Sequence, residues 1–371
     1  MTALLQTPLH AWHAAHGARL VDFAGWHMPV QYKSIVEEHN ATRTAAGVFD
    51  VSHMGRIRFD GPGSTGFLDR LLTRKVVGMG PGKIRYSLVC NEAGGILDDV
   101  LVYHLQEHGG GLYHLLVVNA SNRDKILSWL KSQKKPTDEV NFTDRTIETS
   151  MIAIQGPSAL RIMEPLVGAD VGGLAYYTGC ETTICRHAGI VSRTGYTGED
   201  GCEIIVPASA AEEIWERIFS SGKDHGVAAV GLGARDTLRM EAAMPLYGHE
   251  LSEQINPFQA GLAFAVNLDG RDFVGKSAIA PKKDDPSQRV RVGLALSGKR
   301  AAREHYAVLS GGNRIGEITS GTFSPTLQQP IAMAYVPPAS AKVGTELSVD
   351  IRGTAESAKV VPLPFYKRNH L

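Results

Sequence analysis

Two adjacent carboxylates in an otherwise apolar run, Ile96-Leu-Asp98-Asp99-Val-Leu-Val-Tyr-His-Leu105, are the side chains that folding alone explains least well. In a strand, side chains alternate with a period of two, so Asp98 shares a face with Ile96, Val100 and Val102, and Asp99 shares one with Leu97, Leu101 and Tyr103. Both faces read as buried. A buried carboxylate is costly unless it is hydrogen-bonded, paired or neutralised, so two in succession mark a site where a carboxylate's charge or proton is used. Desolvation would raise such a pKa and a nearby cation would lower it. The structural alternative is that they cap backbone amides, or that the strand is open on one face. Periodicity does not choose between the two aspartates.

A second set of charged residues is scattered: Arg193, Glu199, Asp200 and Glu203 around Gly195-Tyr196-Thr-Gly198, then Arg235, Arg239 and Glu241. Chemistry alone favours reading these as structural ion pairs. The elements that position both sets follow from pattern. Lys83 to Leu105 reads as a hairpin turning at Asn91-Glu-Ala-Gly-Gly95. Ser209 and Glu212 form a capping-box pattern before Ile214, Trp215, Ile218 and Phe219 at helical spacing, and Ser121 is placed to cap a helix carrying Ile126, Leu127 and Leu130. A third helix runs from about Leu232 to Met244 and puts Arg235 and Arg239 on one face. The polar stretch Pro281–Arg289, with two prolines, reads as a linker, and the roughly 80 residues after it as a small all-β barrel or sandwich.

Three patterns are set aside. Gly270-Arg-Asp-Phe-Val-Gly275-Lys276-Ser277 matches a phosphate loop, but Pro281 follows too soon for the long helix that would hold the phosphates, so no nucleotide is expected. His10, His13 and His16, three apart in a short helix, drift around its axis with no carboxylate at matching spacing, so no metal is expected. Gly195–Gly198 and Gly231-Leu-Gly233 are read as turn glycines. Composition narrows the rest: 371 residues, 43% hydrophobic, with 38 basic and 38 acidic side chains. That is an ordinary globular chain of two or three domains, with no basic excess to draw it to nucleic acid or an anionic membrane. The N-terminus lacks the pattern of a secretory signal and no apolar run is long enough to span a bilayer, so a cytoplasmic protein is expected. Four cysteines, Cys90, Cys180, Cys185 and Cys202, are expected reduced.

Pro8-Leu9, His13, Ala15-His16-Gly17, Phe23-Ala-Gly-Trp26, Pro29-Val-Gln-Tyr32, Phe49-Asp-Val-Ser-His-Met54, Asn91-Glu-Ala-Gly-Gly-Ile-Leu-Asp-Asp99, Gly195-Tyr-Thr-Gly-Glu-Asp-Gly201 and Arg235-Asp-Thr-Leu-Arg-Met-Glu-Ala242 together resemble the aminomethyltransferase (T-protein) family of the glycine cleavage system. The resemblance runs from residue 8 to Pro364-Phe365. It implies an α+β, three-domain, cloverleaf-like fold around a tetrahydrofolate site. Its parts would be a discontinuous first domain (1–51, 145–157 and 225–280), a ferredoxin-like domain (52–144 and 158–224) and a C-terminal jelly-roll β-barrel (281–371). The implied reaction releases ammonia from the aminomethyl-lipoyl arm of H-protein and passes the one-carbon unit to tetrahydrofolate, giving 5,10-methylenetetrahydrofolate. Tetrahydrofolate is then a substrate, lipoylated H-protein the partner, and the expected state a monomer.

The family's catalytic aspartate is the second of the Asp-Asp pair and falls on Asp99, leaving Asp98 as its control. Its pterin-binding glutamate falls on Glu203, whose carboxylate suits the N–H donors of a pterin edge. Arg235 matches a folate-contacting arginine. Met54, Tyr86, Val117, Asn119 and Tyr196 fall at pocket positions, Phe264 stands where some members have tryptophan, and Arg291 is placed toward the folate tail. The terminal Tyr366–Leu371 departs from the family pattern, and His370 is not counted among the site residues. Two other readings compete: a folate-dependent demethylase of the same superfamily, and a folate-binding iron–sulfur assembly factor, whose Lys-Gly-Cys-Tyr-x-Gly-Gln motif is missing here.

Overall fold

The computed structural model describes residues 3–368; His370 lies outside the described residues. The chain divides into two compact units. One comprises residues up to Ser87 with Asp99–Gly195 and Glu199–Arg235, and the other Leu88–Asp98, Tyr196–Gly198 and the chain from Asp236 onward. The expected α+β character with a C-terminal barrel is what forms.

In the first unit, a six-stranded sheet runs in the order Gly179–Ile184, His187–Ser192, Gly201–Pro207, Thr149–Gln155, Ala46–Asp50, Val227–Ala229. It is antiparallel except where Val227–Ala229 lies parallel to Ala46–Asp50. The two central strands, Thr149–Gln155 and Gly201–Pro207, are buried almost end to end. Such strands need apolar residues on both faces, and these carry Ile152, Ile154, Ile204 and Val206. Helix Ala211–Gly222 packs Ile214, Trp215 and Ile218 into the same core as Leu9 and Trp12.

Glu203 and Gln155 stand at this sheet as polar residues within buried strands. Gln155 donates to the carbonyls of Thr194 (3.1 Å) and Cys202 (3.3 Å), and a Cβ at Gly195 would fall 1.9 Å from its Oε1. A side chain at 195 would thus displace the Gln155 carboxamide from these bonds, whereas Gly198, at φ +81°, has the turn geometry expected of it. Gly231 and Gly233 correct the turn reading: neither has a positive φ, and a Cβ would meet the Val30 carbonyl oxygen at 2.4 Å and 3.0 Å.

A second sheet has the order Ile84–Cys90, Ile96–Gln106, Leu112–Val118, Gly55–Asp60, Asn141–Asp144, so the predicted hairpin forms with its turn at Asn91–Gly95. The predicted helix caps do not form. Short 3-10 turns at Ala208–Ala210 and Ala120–Asn122 take up Ser209 and Ser121, and neither Ala211–Gly222 nor Arg123–Gln133 has a side-chain cap. The third helix is Leu232–Glu241.

In the second unit, Val290–Leu296, Gln329–Val336, Asn313–Ser324, Ala307–Ser310, Glu346–Ile351 and Thr354–Val361 close into a barrel in that order. Closure removes the unpaired edges that an open six-stranded sheet would leave. Alternation fills it: Leu347, Val349 and Ile351 point inward to Val292, Leu294 and Ile318 while Glu346 faces out. The helix after the phosphate-loop look-alike spans only Lys276–Ile279, as Pro281 dictates.

Candidate functional site

Strand Ile96–Gln106 separates the two aspartates by exposure. Asp98 is completely buried with Ile96, Val100 and Val102, while Asp99 lies on the less covered face. Two neighbouring strands reach Asp99. Asn119, just beyond strand Leu112–Val118, donates to Asp99 Oδ1 at 2.7 Å and to its carbonyl oxygen at 3.2 Å; Tyr86 on strand Ile84–Cys90 donates to Oδ2 at 3.1 Å. Each carboxylate oxygen therefore accepts a bond from a neutral donor, which fixes the orientation of the carboxylate without cancelling its charge. Val117 is buried in the adjacent strand and pairs with Leu101 and Arg56 across its two neighbours. Tyr86, Asn119 and Asp99 are thus brought together by three strands, an arrangement suited to stabilising a cation that develops beside it.

Glu203, on strand Gly201–Pro207, is 5% exposed and accepts a 2.5 Å hydrogen bond from the Thr194 hydroxyl. Burial pushes its carboxyl above the usual range, and Thr194 and the charge of Arg235 offset this only in part. Arg235, in the first turn of helix Leu232–Glu241, also acts on His53. Burial, then Arg235, lower the His53 imidazole to about 3, with Asp50 opposing, so the ring is neutral at physiological pH. Met54, next in the chain, is partly exposed.

The loop that carries Met54 is held by a buried network. Asp50 accepts from the Ser52 amide at 2.9 Å and pairs with His13 Nε2 at 2.9 Å, while Tyr32 meets His13 Nδ1 at 2.9 Å. Burial opposes ionisation of Asp50, but His13 and Ser52 outweigh it and hold the carboxyl down at about 2. Arg56, fully buried, binds the carbonyl oxygens of Met54 (2.6 Å) and Ser52 (3.1 Å). His13 is therefore structural, as is His16, stacked on Trp12 at 3.8 Å. Among the described residues, no group of three or more His, Cys, Asp or Glu side chains is arranged to hold a metal.

Three predicted site residues belong to the second unit. Tyr196 donates to the Pro245 carbonyl at 2.5 Å. Arg291 donates to the Ala243 carbonyl at 3.2 Å and contacts the Met333 sulfur at 3.6 Å, and Phe264 is 60% exposed. Other charged residues of the scattered set are structural. Arg193 pairs with Asp200 at 2.5 Å and binds the Gly201 and Leu174 carbonyls, Arg43 pairs with Glu199 at 2.8 Å, and Arg239 pairs with Glu250 at 2.8 Å. No cysteine is bonded to another, and burial pushes the Cys90 and Cys202 thiols up to about 12, which removes them as nucleophiles. Sequence reasoning missed His53 as an individual residue. Its signal was a histidine between Ser52 and Met54 in a run whose other polar residues are only Asp50 and Ser52.

Comparison with known proteins agrees over the whole length. The GCVT N-terminal domain family matches residues 9–270, and the glycine cleavage T-protein C-terminal barrel domain family matches residues 289–367. An aminomethyltransferase from Desulfitobacterium hafniense is 46% identical over 369 residues, covering 99% of this chain and 100% of that protein. One from Saccharopolyspora erythraea is 45% identical over 371 residues, 100% of both. The crystal structure of glycine cleavage system aminomethyltransferase T from Bartonella henselae superposes with a TM-score of 0.90 at 35% identity, covering 98% of each chain. With both family domains in order and relatives similar from end to end, this chain belongs to the glycine cleavage T-protein family.

Proposed function

We propose that this chain is the aminomethyltransferase of a glycine cleavage system, with tetrahydrofolate as one-carbon acceptor, lipoylated H-protein as donor partner and Asp99 as the catalytic carboxylate. The observation that carries the reading is Asp99 itself: partly open, oriented by Asn119 and Tyr86, on the strand where the family's aspartate falls. Loss of ammonia from the aminomethyl group leaves positive charge on the one-carbon unit. A fixed carboxylate in a site of low dielectric stabilises that charge and holds the folate amine in place for attack. Glu203 and Arg235 supply an acceptor and a planar donor for the pterin, and Met54, Val117, Tyr196 and Phe264 supply apolar surface against its ring. Arg291 takes the folate tail. The division at residue 281 between the discontinuous first domain and the barrel belongs to this proposal and is supported by the family matches ending at 270 and starting at 289. We place the enzyme in the cytoplasm as a monomer; among the described residues no helix is long and apolar enough to cross a membrane.

The test is production of ammonia and methylenetetrahydrofolate by the purified chain from aminomethyl-loaded H-protein, with and without tetrahydrofolate. Tetrahydrofolate-dependent release of both is expected. Folate binding without product, using an H-protein shown to work with another T-protein, would leave the folate site and overturn the substrate assignment.

A further inference from the structure

The protein grips the Glu203 carboxylate on one side only. Oε2 accepts the Thr194 hydroxyl at 2.5 Å, while Oε1 accepts no hydrogen bond among the described residues and is not one of the unpaired side-chain atoms sealed from solvent. Thr194 is itself held from behind. Gln155 binds its carbonyl oxygen at 3.1 Å, and Ser192, which pairs with Glu203 across the two strands, lies 2.9 Å from Thr194 Oγ1 and 3.3 Å from the Glu203 carbonyl oxygen. The Tyr103 hydroxyl stands 3.4 Å behind Ser192. Tyr103, Ser192 and Thr194 are all buried, so water does not compete for their hydroxyls. An ionised carboxylate has no proton to give, so Thr194 donates to Glu203 and accepts from Ser192, and Ser192 in turn accepts from Tyr103. All three protons then point toward Glu203, and each bond polarises the next. Tyr103 lies on strand Ile96–Gln106, on the face that carries Asp99, so this line of hydroxyls ties the strand of Asp99 to that of Glu203.

Resting on the folate reading above, we infer that Thr194 is a positioning residue of the tetrahydrofolate site: backed by Ser192 and Tyr103, its hydroxyl orients the Glu203 carboxylate through Oε2 and leaves Oε1, with the second lone pair of Oε2, to accept the N–H groups of the pterin. A carboxylate fixed in rotation before the ligand arrives loses less freedom on binding it. The same bond acts on charge. Burial disfavours the ionised form of Glu203, and Thr194 opposes burial more than the charge of Arg235 does, so a chain without that hydroxyl has a carboxylate both freer to turn and easier to protonate. The other titratable or charged groups that bear on Glu203 are Arg235 from helix Leu232–Glu241, Tyr103 from the second sheet, Tyr177, and Cys202 beside it in its own strand. Burial raises both phenols and the thiol, so among these groups the Glu203 carboxyl is the one that changes charge on acidification from pH 8.

The test uses the full chain with Thr194→Val, which keeps the shape and removes the hydroxyl, Thr194→Ser, which keeps the hydroxyl, and Tyr103→Phe, which removes only the far end of the line. Tetrahydrofolate affinity is measured by calorimetry from pH 5 to 8, and titration of the folate itself is common to all chains and cancels in the comparison. Thr194→Val is expected to weaken binding by about tenfold at neutral pH and to move the pH at which affinity falls off upward by about one pH unit, the equivalent of one hydrogen bond to a charged group. In turnover, its KM for tetrahydrofolate should rise by a similar factor with kcat near wild type. Thr194→Ser should restore both affinity and pH profile, and Tyr103→Phe should move them the same way by less. In a Glu203→Gln background, Thr194→Val should add less than about a twofold loss, because it acts through Glu203. Wild-type affinity and pH profile in Thr194→Val, or a loss that neither moves the profile nor disappears in the Glu203→Gln background, overturns the inference and leaves the folate reading intact. If Thr194→Val does not fold, an unmoved profile in Tyr103→Phe overturns it. Wild-type chain that binds no tetrahydrofolate, or Glu203→Gln that binds it as wild type does, overturns the reading beneath it.

Discussion

Glu203 in one unit and Glu250 in the other are both buried glutamates under the charge of an arginine, and they differ in how completely the protein answers them. Glu250 is 0% exposed and receives Arg239 at 2.8 Å, the Leu246 amide at 3.0 Å and the Thr319 hydroxyl at 2.6 Å. Burial pushes its carboxyl up, but Arg239 with Ser320 and Thr319 outweighs burial and holds it below the usual range. Glu203 has Thr194 and the field of Arg235, and burial wins. A structural carboxylate is satisfied by its own fold, whereas one that is under-compensated in a buried strand has donors still to come. A pterin edge, with its N–H groups, is the proposed source.

The contrast is broken or sharpened first at Glu250. Glu250→Gln leaves the buried Arg239 with only the half-exposed Asp236 as counter-charge and is expected to destabilise the fold by roughly 2–4 kcal/mol in denaturant titration. A loss below about 1 kcal/mol would mean that the pair is no more than a surface ion pair in effect. At Asp99, the proposed catalytic carboxylate, the expected loss is kinetic. Asp99→Asn keeps the shape and removes the charge, and should lower turnover by about 10²–10³ while tetrahydrofolate affinity stays near wild type. Asp98→Asn should cost turnover far less. Equal losses in the two variants would deny Asp99 its role. Glu203→Gln gives the mirror image of Glu250→Gln: stability unchanged or raised, and tetrahydrofolate binding weaker by about 1–3 kcal/mol in calorimetry, since an amide presents a donor to a donor. Unchanged affinity would remove Glu203 from the site.

The sequence made the hairpin, the barrel and the Asp98–Asp99 anomaly legible, because alternation and glycine turns are local signals. It did not rank the two aspartates. That ranking depends on Tyr86, on a neighbouring strand, and Asn119, just beyond another, 13 and 20 residues away, and on which face the sheet leaves uncovered. The capping patterns at Ser209 and Ser121 misled for a related reason: a 3-10 turn ahead of each helix shifts its start past the serine. Close approaches such as Val30 against Gly231 join segments 200 residues apart, and nothing in the local sequence around Gly231 reports them. Arg235 and Arg239 share a helix by spacing, yet Arg239 is committed to Glu250 while the charge of Arg235 reaches Glu203 and His53. Only tertiary partners separate a structural arginine from the one proposed to face a ligand.

The smallest expected effect is also the one that tests the comparison most directly, since it depends on the sign of each pKa shift. Glu203 has a folded-state pKa above its usual 4.5. Its contribution to stability is therefore present in full below pH 4.5 and is lost as pH rises through the folded value, because the unfolded chain releases that proton first. Glu250 is shifted the other way from 4.5, so its contribution is present above pH 4.5 and is lost as pH falls through the folded value. Relative to wild type, Glu203→Gln should gain stability progressively as pH rises above 4.5, and the deficit of Glu250→Gln should shrink as pH falls below 4.5. Chemical unfolding of the three chains from pH 3 to 8 reads both slopes. Slopes of the same sign would show that the two glutamates are compensated alike, and the argument that Glu203 is held for a ligand would lose its electrostatic basis.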